Sequence, residues 1–88
     1  MGRKDRMEKV LRREFDPAAL EIIDESAAHR GHAGYREGGE THYRVRIRAV
    51  SLGGLSRVER QRRIYRSLSA EFSSGLHALS LDADGLGP

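Results

Sequence analysis

The segment Thr41-His-Tyr-Arg-Val-Arg-Ile-Arg-Ala-Val50 decides the fold, because apolar and polar side chains alternate through it without interruption. The side chains that share one face are Tyr43, Val45, Ile47 and Ala49, and those that share the other are His42, Arg44, Arg46 and Arg48. Successive side chains of a strand point to opposite sides of the sheet, and one apolar face with one charged face is typical of a sheet covered on one side. We therefore expect a half-buried strand whose histidine and arginines face solvent.

A helical segment precedes this strand. Its apolar residues recur at helical spacing and are Met7, Val10, Leu11 and Phe15. This spacing predicts an amphipathic helix. Asp16-Pro17 ends the helix, because the residue before a proline avoids helical geometry and proline has no amide hydrogen to donate. The stretch Leu20-Glu-Ile-Ile23 then predicts a short first strand.

The chain beyond residue 50 predicts the second half of the domain. Gly53-Gly54 is a turn signal, and Ser56 with Glu59 three residues later is the signature of a capping box at a helix start. The apolar residues that we expect to face the core from this helical region are Val58, Ile64, Tyr65, Leu68 and Phe72. Gly75 ends the region. Leu76-His-Ala-Leu-Ser-Leu81 then predicts the last strand, ahead of a glycine-containing tail.

Together these elements predict one small α/β (α+β) domain in the order α-β-β-α-α-β, with a three-stranded sheet and helices on one face. The 88 residues are close to the smallest number that sustains a core. We expect the core to span about residues 5–82 and residues 83–88 to form a flexible tail. No nucleophile and base stand at a recognisable spacing. We therefore expect neither catalysis nor a small-molecule substrate.

The composition limits the classes of site and partner. The chain has no cysteine, which excludes a disulfide framework and a cysteine-based zinc site. Its longest apolar run is Ala18–Leu20, far too short to cross a membrane. A cytoplasmic protein without a membrane partner is the expectation. The net charge of +3 favours an anionic partner only weakly, because acidic residues are spread among the arginines.

Four histidines are the side chains best suited to binding a metal. His29 and His32 lie in a glycine-rich loop between the first two predicted strands, whereas His42 and His77 stand at strand starts. Neutral imidazole binds zinc, copper, nickel and iron, so a loop histidine and a strand histidine can share one metal. An iron–sulfur cluster would need a partner's sulfur. The alternatives are solvated loop histidines, a His77 that pairs with a helix carboxyl end, and a zinc site of His29, His32 and His77.

Several motifs in order closely resemble the BolA family, over about residues 7–81. They are Asp24-Glu-Ser, Gly39-Glu-Thr-His-Tyr-Arg-Val, Gly54-Leu-Ser, Arg60-Gln-Arg-Arg-Ile-Tyr and Gly75-Leu-His-Ala-Leu-Ser-Leu. The resemblance implies a compact domain related to the type II KH topology, with helices packed on one face of three strands. The hydrophobic pattern independently predicts the same order of elements.

The resemblance also implies a function. BolA proteins partner monothiol glutaredoxins, and a glutaredoxin cysteine, glutathione and BolA histidines together hold a [2Fe-2S] cluster used in iron sensing or cluster delivery. By this resemblance His77 is one ligand, and the second comes from the loop, where family members place histidine or cysteine. His29 and His32 are both candidates, and the glycines flanking His32 favour it because they allow close backbone approach. We expect no cofactor in the isolated protein and assign His42 a structural role.

Bacterial family members are also described as transcriptional regulators of stress response and cell shape, which makes DNA an alternative partner. The candidate arginines are Arg44, Arg46 and Arg48 on the strand and Arg60 and Arg63 on the second helix, with Arg57, Arg62 and Arg66 beside them. A basic helix after a short turn can lie against phosphates. The alternative is a solvated charged surface. Many members have Arg-His-Arg where this chain has Arg60-Gln61-Arg62, so we expect Gln61 to be partly buried and without a ligand role.

Overall fold

The structure is a computed structural model that describes residues 2–26 and 41–86. The elements are α1 (Arg3–Phe15), β1 (Ala19–Asp24), β2 (His42–Ala49), α2 (Arg57–Ser67), α3 (Ser69–Ser73) and β3 (Ala78–Gly85), and a 3-10 helix, Val50–Leu52, follows β2. This confirms the predicted α+β fold and its α-β-β-α-α-β order. No helix within the described ranges is both long and apolar enough to cross a membrane.

The three strands form one sheet in the order β1-β2-β3. β1 runs antiparallel to β2, with Ile22 beside Val45, and β2 runs parallel to β3, with His42 beside Ala78. Two parallel neighbours need a crossover connection, which α2 and α3 provide. The central position of β2 explains why the alternation of residues 41–50 predicts the fold so well, since both neighbours align to it.

The core lies between the sheet and the helices. Its largest fully buried side chains include Met7, Leu11, Val45, Ile47, Ile64 and Leu68. The prediction that Val58 and Tyr65 face this core is wrong, because their exposed fractions are 53% and 38%. Val58 is six residues from buried Ile64, which rotates it by roughly 120° around a helix of 3.6 residues per turn. The hydroxyl of Tyr65 instead donates to the carbonyl of Leu79 at 3.0 Å, at the margin of the sheet.

The start of α2 agrees with its sequence signal. The hydroxyl of Ser56 accepts from the amide of Glu59 at 3.2 Å, and the Glu59 carboxylate accepts from the amide of Ser56 at 3.5 Å. Gly54 occupies the left-handed region at φ 76°, which favours glycine at this turn. The capping box and the Gly53-Gly54 turn are therefore confirmed.

The last strand lies further along the chain than predicted. β3 begins at Ala78 rather than Leu76 and continues to Gly85, so the expectation of a flexible tail is wrong for residues 83–85. Parallel pairing places Gly85 beside Ala49. A Cβ on Gly85 would stand only 2.5 Å from the Cα of Gly53, so the close approach requires glycine. Leu79, Leu81 and Ala83 alternate with polar residues along this strand, and Leu81 and Ala83 pack against the core. The alternation therefore continues to residue 83, two residues beyond the predicted end of the strand.

A buried ionic cluster joins α1 to α3. The Glu71 carboxylate accepts from the guanidinium of Arg3 at 2.7 Å and from that of Arg6 at 3.0 Å. Arg3 is 6% exposed and Glu71 is 7% exposed. The hydrogen bond from Arg6, together with the positive charge of both arginines, outweighs burial and holds the pKa of Glu71 below its ordinary value. The carboxylate is therefore charged and bonded across the neutral pH range.

Replacing Glu71 with glutamine should reveal this cluster in the pH dependence of stability. A lowered folded-state pKa contributes stability that is fully present above the unfolded pKa of about 4.3, and that contribution is lost as pH falls from there through the lower pKa of the folded state. We expect Glu71→Gln to lower the free energy of unfolding at pH 7 by about 3 kcal/mol, because Arg3 keeps a buried charge. The variant should also lose less stability than wild type on acidification. Urea unfolding between pH 3 and 7 measures both effects.

The matched control is Glu8→Gln, which removes a carboxylate from the exposed pair between Glu8 and Arg12, 3.0 Å apart. An exposed pair contributes about 0.3–0.5 kcal/mol. This control should behave nearly as wild type. Equal losses of stability in the two variants would show that the buried cluster adds nothing beyond a surface ion pair.

Candidate functional site

His77 stands immediately before β3, at the end of the sheet where β2 begins. Its amide donates to the carbonyl of Thr41 at 2.8 Å, and the amide of Ala78 donates to the same oxygen at 3.1 Å. The preceding turn reverses direction at Gly75, whose φ is 128°. The side chain of His77 is exposed. The backbone is thus held by the sheet while the imidazole is accessible to a ligand or a partner.

His42 differs from its prediction. We expected it on the solvated face of β2, but it is only 5% exposed. Its Nδ1 lies 2.9 Å from the hydroxyl of Thr41, and its ring centroid is 5.3 Å from that of His77 with the rings tilted by 52°. His42 is the first residue of β2, where it pairs beside Ala78. These contacts support a structural role for His42, beside the exposed imidazole of His77.

Ser26 and Thr41, which sequence reasoning missed, fix this corner of the domain. The hydroxyl of Ser26 accepts from the amides of Thr41 and His42 at 2.9 and 3.1 Å. The carboxylate of Asp24 accepts from the amide of Ser26 at 2.8 Å. Ser26 and Thr41 are each 1% exposed. A sequence signal was present in the Asp24-Glu-Ser motif, but only the pairing of β1 with β2 shows what the serine binds.

The candidate loop ligands His29 and His32 lie outside the described residues. The described chain stops at Ser26 and resumes at Thr41, and these two residues are hydrogen bonded to each other beside His42. The two described residues that flank both candidates in the chain are therefore joined, and the carbonyl of Thr41 accepts from the amide of His77. Within the described part of the chain, no group of three or more histidine, aspartate or glutamate side chains could hold a metal ion.

The arginines on the solvent face of the sheet all have acidic partners. Arg44 pairs with Glu25 at 3.1 Å and Arg46 with Glu21 at 3.7 Å. Arg48 lies 4.0 Å from Asp84. A phosphate group would have to compete with these carboxylates for each guanidinium. Each strand candidate for nucleic-acid contact therefore has a carboxylate within 4.0 Å, although the pairs of Arg46 and Arg48 are long and exposed.

The helix candidates divide into two kinds. Arg60 is structural, since its guanidinium donates to the carbonyls of Leu52 and Ala83 at 3.1 and 3.2 Å. Four exposed arginines of α2 form no ion pair with any residue that the structure describes, and they are Arg57, Arg62, Arg63 and Arg66. The last three line a surface depression of about 410 Å³ with Glu59. Gln61 is partly buried, as predicted.

The chain matches known proteins over nearly its whole length. Residues 11–85 match the family described as BolA-like protein. SufE-like protein 1 of Arabidopsis thaliana is 45% identical over 82 residues, which cover 89% of this chain but only 22% of that protein. The DNA-binding transcriptional regulator BolA of Escherichia coli is 37% identical over 89% of this chain and 70% of its own length. The structure of BolA1 from A. thaliana superimposes with a TM-score of 0.86 at 38% identity, covering 97% of this chain and 93% of that one.

The two neighbouring histidines should differ in their effect on stability. His42→Ala removes a buried ring and its contact with the Thr41 hydroxyl, so we expect a loss of about 2 kcal/mol in the free energy of unfolding. His77→Ala removes an exposed side chain and should change that energy by less than about 0.5 kcal/mol. Denaturant unfolding of both variants checks this. A larger loss for His77→Ala would show that the exposed histidine is part of the packing.

Proposed function

This chain belongs to the BolA family, and on that premise we propose that it is an adaptor for a monothiol glutaredoxin. In the proposed heterodimer His77 binds one iron of a [2Fe-2S] cluster, and the glutaredoxin cysteine and glutathione supply the sulfur ligands. The cytoplasm is the compartment that we infer for this partnership, because thiols remain reduced there. The exposed imidazole of His77 on a backbone held by Thr41 is the observation that supports the proposal most directly.

The residues of this chain suit a cluster site shared with a partner better than a site built from this chain alone. The protein has no cysteine, so every thiolate must come from elsewhere. Histidine in place of cysteine raises the reduction potential of a [2Fe-2S] centre and leaves a ligand that a proton can displace. Such a ligand suits cluster transfer or iron sensing. The chain's own part is to present the imidazole.

The second ligand in this proposal is His29 or His32. The tether between Ser26 and Thr41 supports the assignment of the loop, because its two ends are joined at 2.9 Å beside the histidine pair. The flanking glycines favour His32. Separate replacement of each loop histidine identifies the ligand, since only one of the two variants should resemble His77→Ala in its cluster spectrum.

Titration of a reconstituted [2Fe-2S] glutaredoxin with this protein tests the proposal. We expect visible absorption and circular dichroism to change and to saturate at about one to one, because histidine nitrogen replaces a sulfur ligand. His77→Ala should remove the change. Ser80→Ala, an exposed substitution on β3, is the control and should behave as wild type. A full response from His77→Ala would exclude His77 as a ligand, and no response from wild type would exclude the shared cluster.

DNA binding is a second candidate function that the arginines of α2 favour. The Escherichia coli relative carries the name of a DNA-binding transcriptional regulator. On this chain the guanidinium groups of Arg62, Arg63 and Arg66, which form no ion pair with any residue of 2–26 or 41–86, line one surface depression with Glu59. Phosphate contacts from arginine position a protein on DNA without reading its sequence. We place any such contact on α2 rather than on the sheet, where the arginines are paired.

Two triple variants with equal charge change distinguish these surfaces. Replacement of Arg62, Arg63 and Arg66 by glutamine should weaken binding to duplex DNA. It should also reduce the slope of log K against log salt by up to about 3, since each lost phosphate contact reduces it by about 0.9. Replacement of Arg44, Arg46 and Arg48 should change the slope much less. Fluorescence anisotropy at several salt concentrations measures both, and the opposite ranking would move the contact to the sheet.

A further inference from the structure

We propose that Arg3 and Arg6 are positioning residues for His77, acting through Glu71 in α3 and Ser74 directly after it. This inference rests on the proposed role of His77 as a ligand. It extends that role to a segment at the opposite end of the chain, 74 residues away along the sequence from Arg3 to His77. No hydrophobic pattern connects the two regions.

The guanidinium of Arg3 binds backbone as well as side chain. It donates to the carbonyl of Glu71 at 3.0 Å and to the carbonyl of Ser74 at 3.2 Å. It also donates to the hydroxyl of Ser74 at 2.9 Å. Arg6 holds the carboxylate of Glu71 from the other side with two bonds of 3.0 Å. The arginines therefore fix the path of the main chain at the end of α3 in addition to neutralising a carboxylate.

The held segment leads directly to His77. α3 has only five residues, too few for a helix to be stable without outside contacts. The Glu71 carbonyl that Arg3 binds also accepts from the amide of Leu76 at 2.9 Å and closes the turn through Gly75. The residue after Leu76 is His77. Arg3 thus binds the residues that precede His77, whereas the carbonyl of Thr41 binds the amides of His77 and Ala78.

The pairing of β3 with β2 begins beyond this turn. Leu76 is 4% exposed and packs in the core, and β3 pairs with β2 from Ala78 onward. Changing Arg3 should therefore loosen residues 71–77 without separating the strands. A buried ion pair is a weak source of net stability compared with apolar packing, whereas a forked guanidinium fixes geometry through several directed bonds. The contacts of Arg3 therefore explain the orientation of His77 better than they explain the stability of the fold.

Arg3→Lys is the test variant, because lysine retains the charge but cannot reproduce the planar fork. Arg12→Lys is the control, since Arg12 makes the exposed pair with Glu8. In the free protein, nuclear magnetic resonance measures rotamer averaging of the His77 ring and amide exchange of Leu76 and Val45. We expect Arg3→Lys to average the ring and to speed exchange of Leu76 about tenfold, the effect of one lost charge-assisted hydrogen bond. Exchange of Val45 should change much less.

The glutaredoxin complex supplies the second readout. We expect Arg3→Lys to alter the circular dichroism of the cluster and to shorten its lifetime, and Arg12→Lys to do neither. Equal acceleration of Leu76 and Val45, or a His77 ring that is as ordered as in wild type, would overturn the positioning role. The positioning role would also be overturned if Arg3→Lys speeds exchange of Leu76 but leaves the circular dichroism and lifetime of the cluster as in wild type. A wild-type protein that leaves the cluster spectrum unchanged would instead refute the proposed function, and the measurements on the free protein would still decide the positioning of His77.

Discussion

The parallel pairing of β2 with β3 is the constraint on which the rest of the molecule depends. It places Ala78 beside His42 and brings the amides of His77 and Ala78 to one carbonyl, that of Thr41. Parallel neighbours require a crossover, so α2 and α3 must cover the sheet between them. The crossover has to return at one defined point, and the buried Arg3–Glu71 pair fixes that return. The end of the crossover and the candidate site therefore share these contacts.

The sequence predicts those parts of the fold that depend on local patterns. Alternation predicts β2, the Ser56 and Glu59 spacing predicts the start of α2, and proline marks the end of α1. It fails where distant backbone decides the outcome. His42 is buried although it belongs to the charged face of β2, and its ring lies beside that of His77. Gly85 pairs with Ala49 and lies against Gly53, which are 36 and 32 positions earlier in the chain. The Arg3–Glu71 pair spans 68 positions and has no periodic signal.

The candidate site shows the same division. Resemblance to a family points to His77, and the structure adds that its ring is exposed and lies beside His42. Composition alone does not distinguish paired from unpaired arginines, because all of them carry the same charge. The register of the strands does, since it places Glu21, Glu25 and Asp84 within ion-pair distance of the arginines on β2. No carboxylate of the described residues lies within ion-pair distance of the exposed arginines of α2. The proposed ligand His77 and the exposed arginines of α2 thus belong to different elements of the domain.

In the proposed heterodimer this chain supplies an imidazole nitrogen from His77 to a cluster held with a glutaredoxin. Pulsed electron–nuclear double resonance on the reduced heterocomplex, with isotopically labelled histidine in this chain only, tests it directly. With His77 and one loop histidine as ligands, we expect two strongly coupled labelled nitrogens, of which one disappears when His77 is replaced by alanine and both remain when Ser80 is replaced. A cluster in the wild-type complex without any coupled nitrogen from this chain would contradict it, as would the same couplings in His77→Ala.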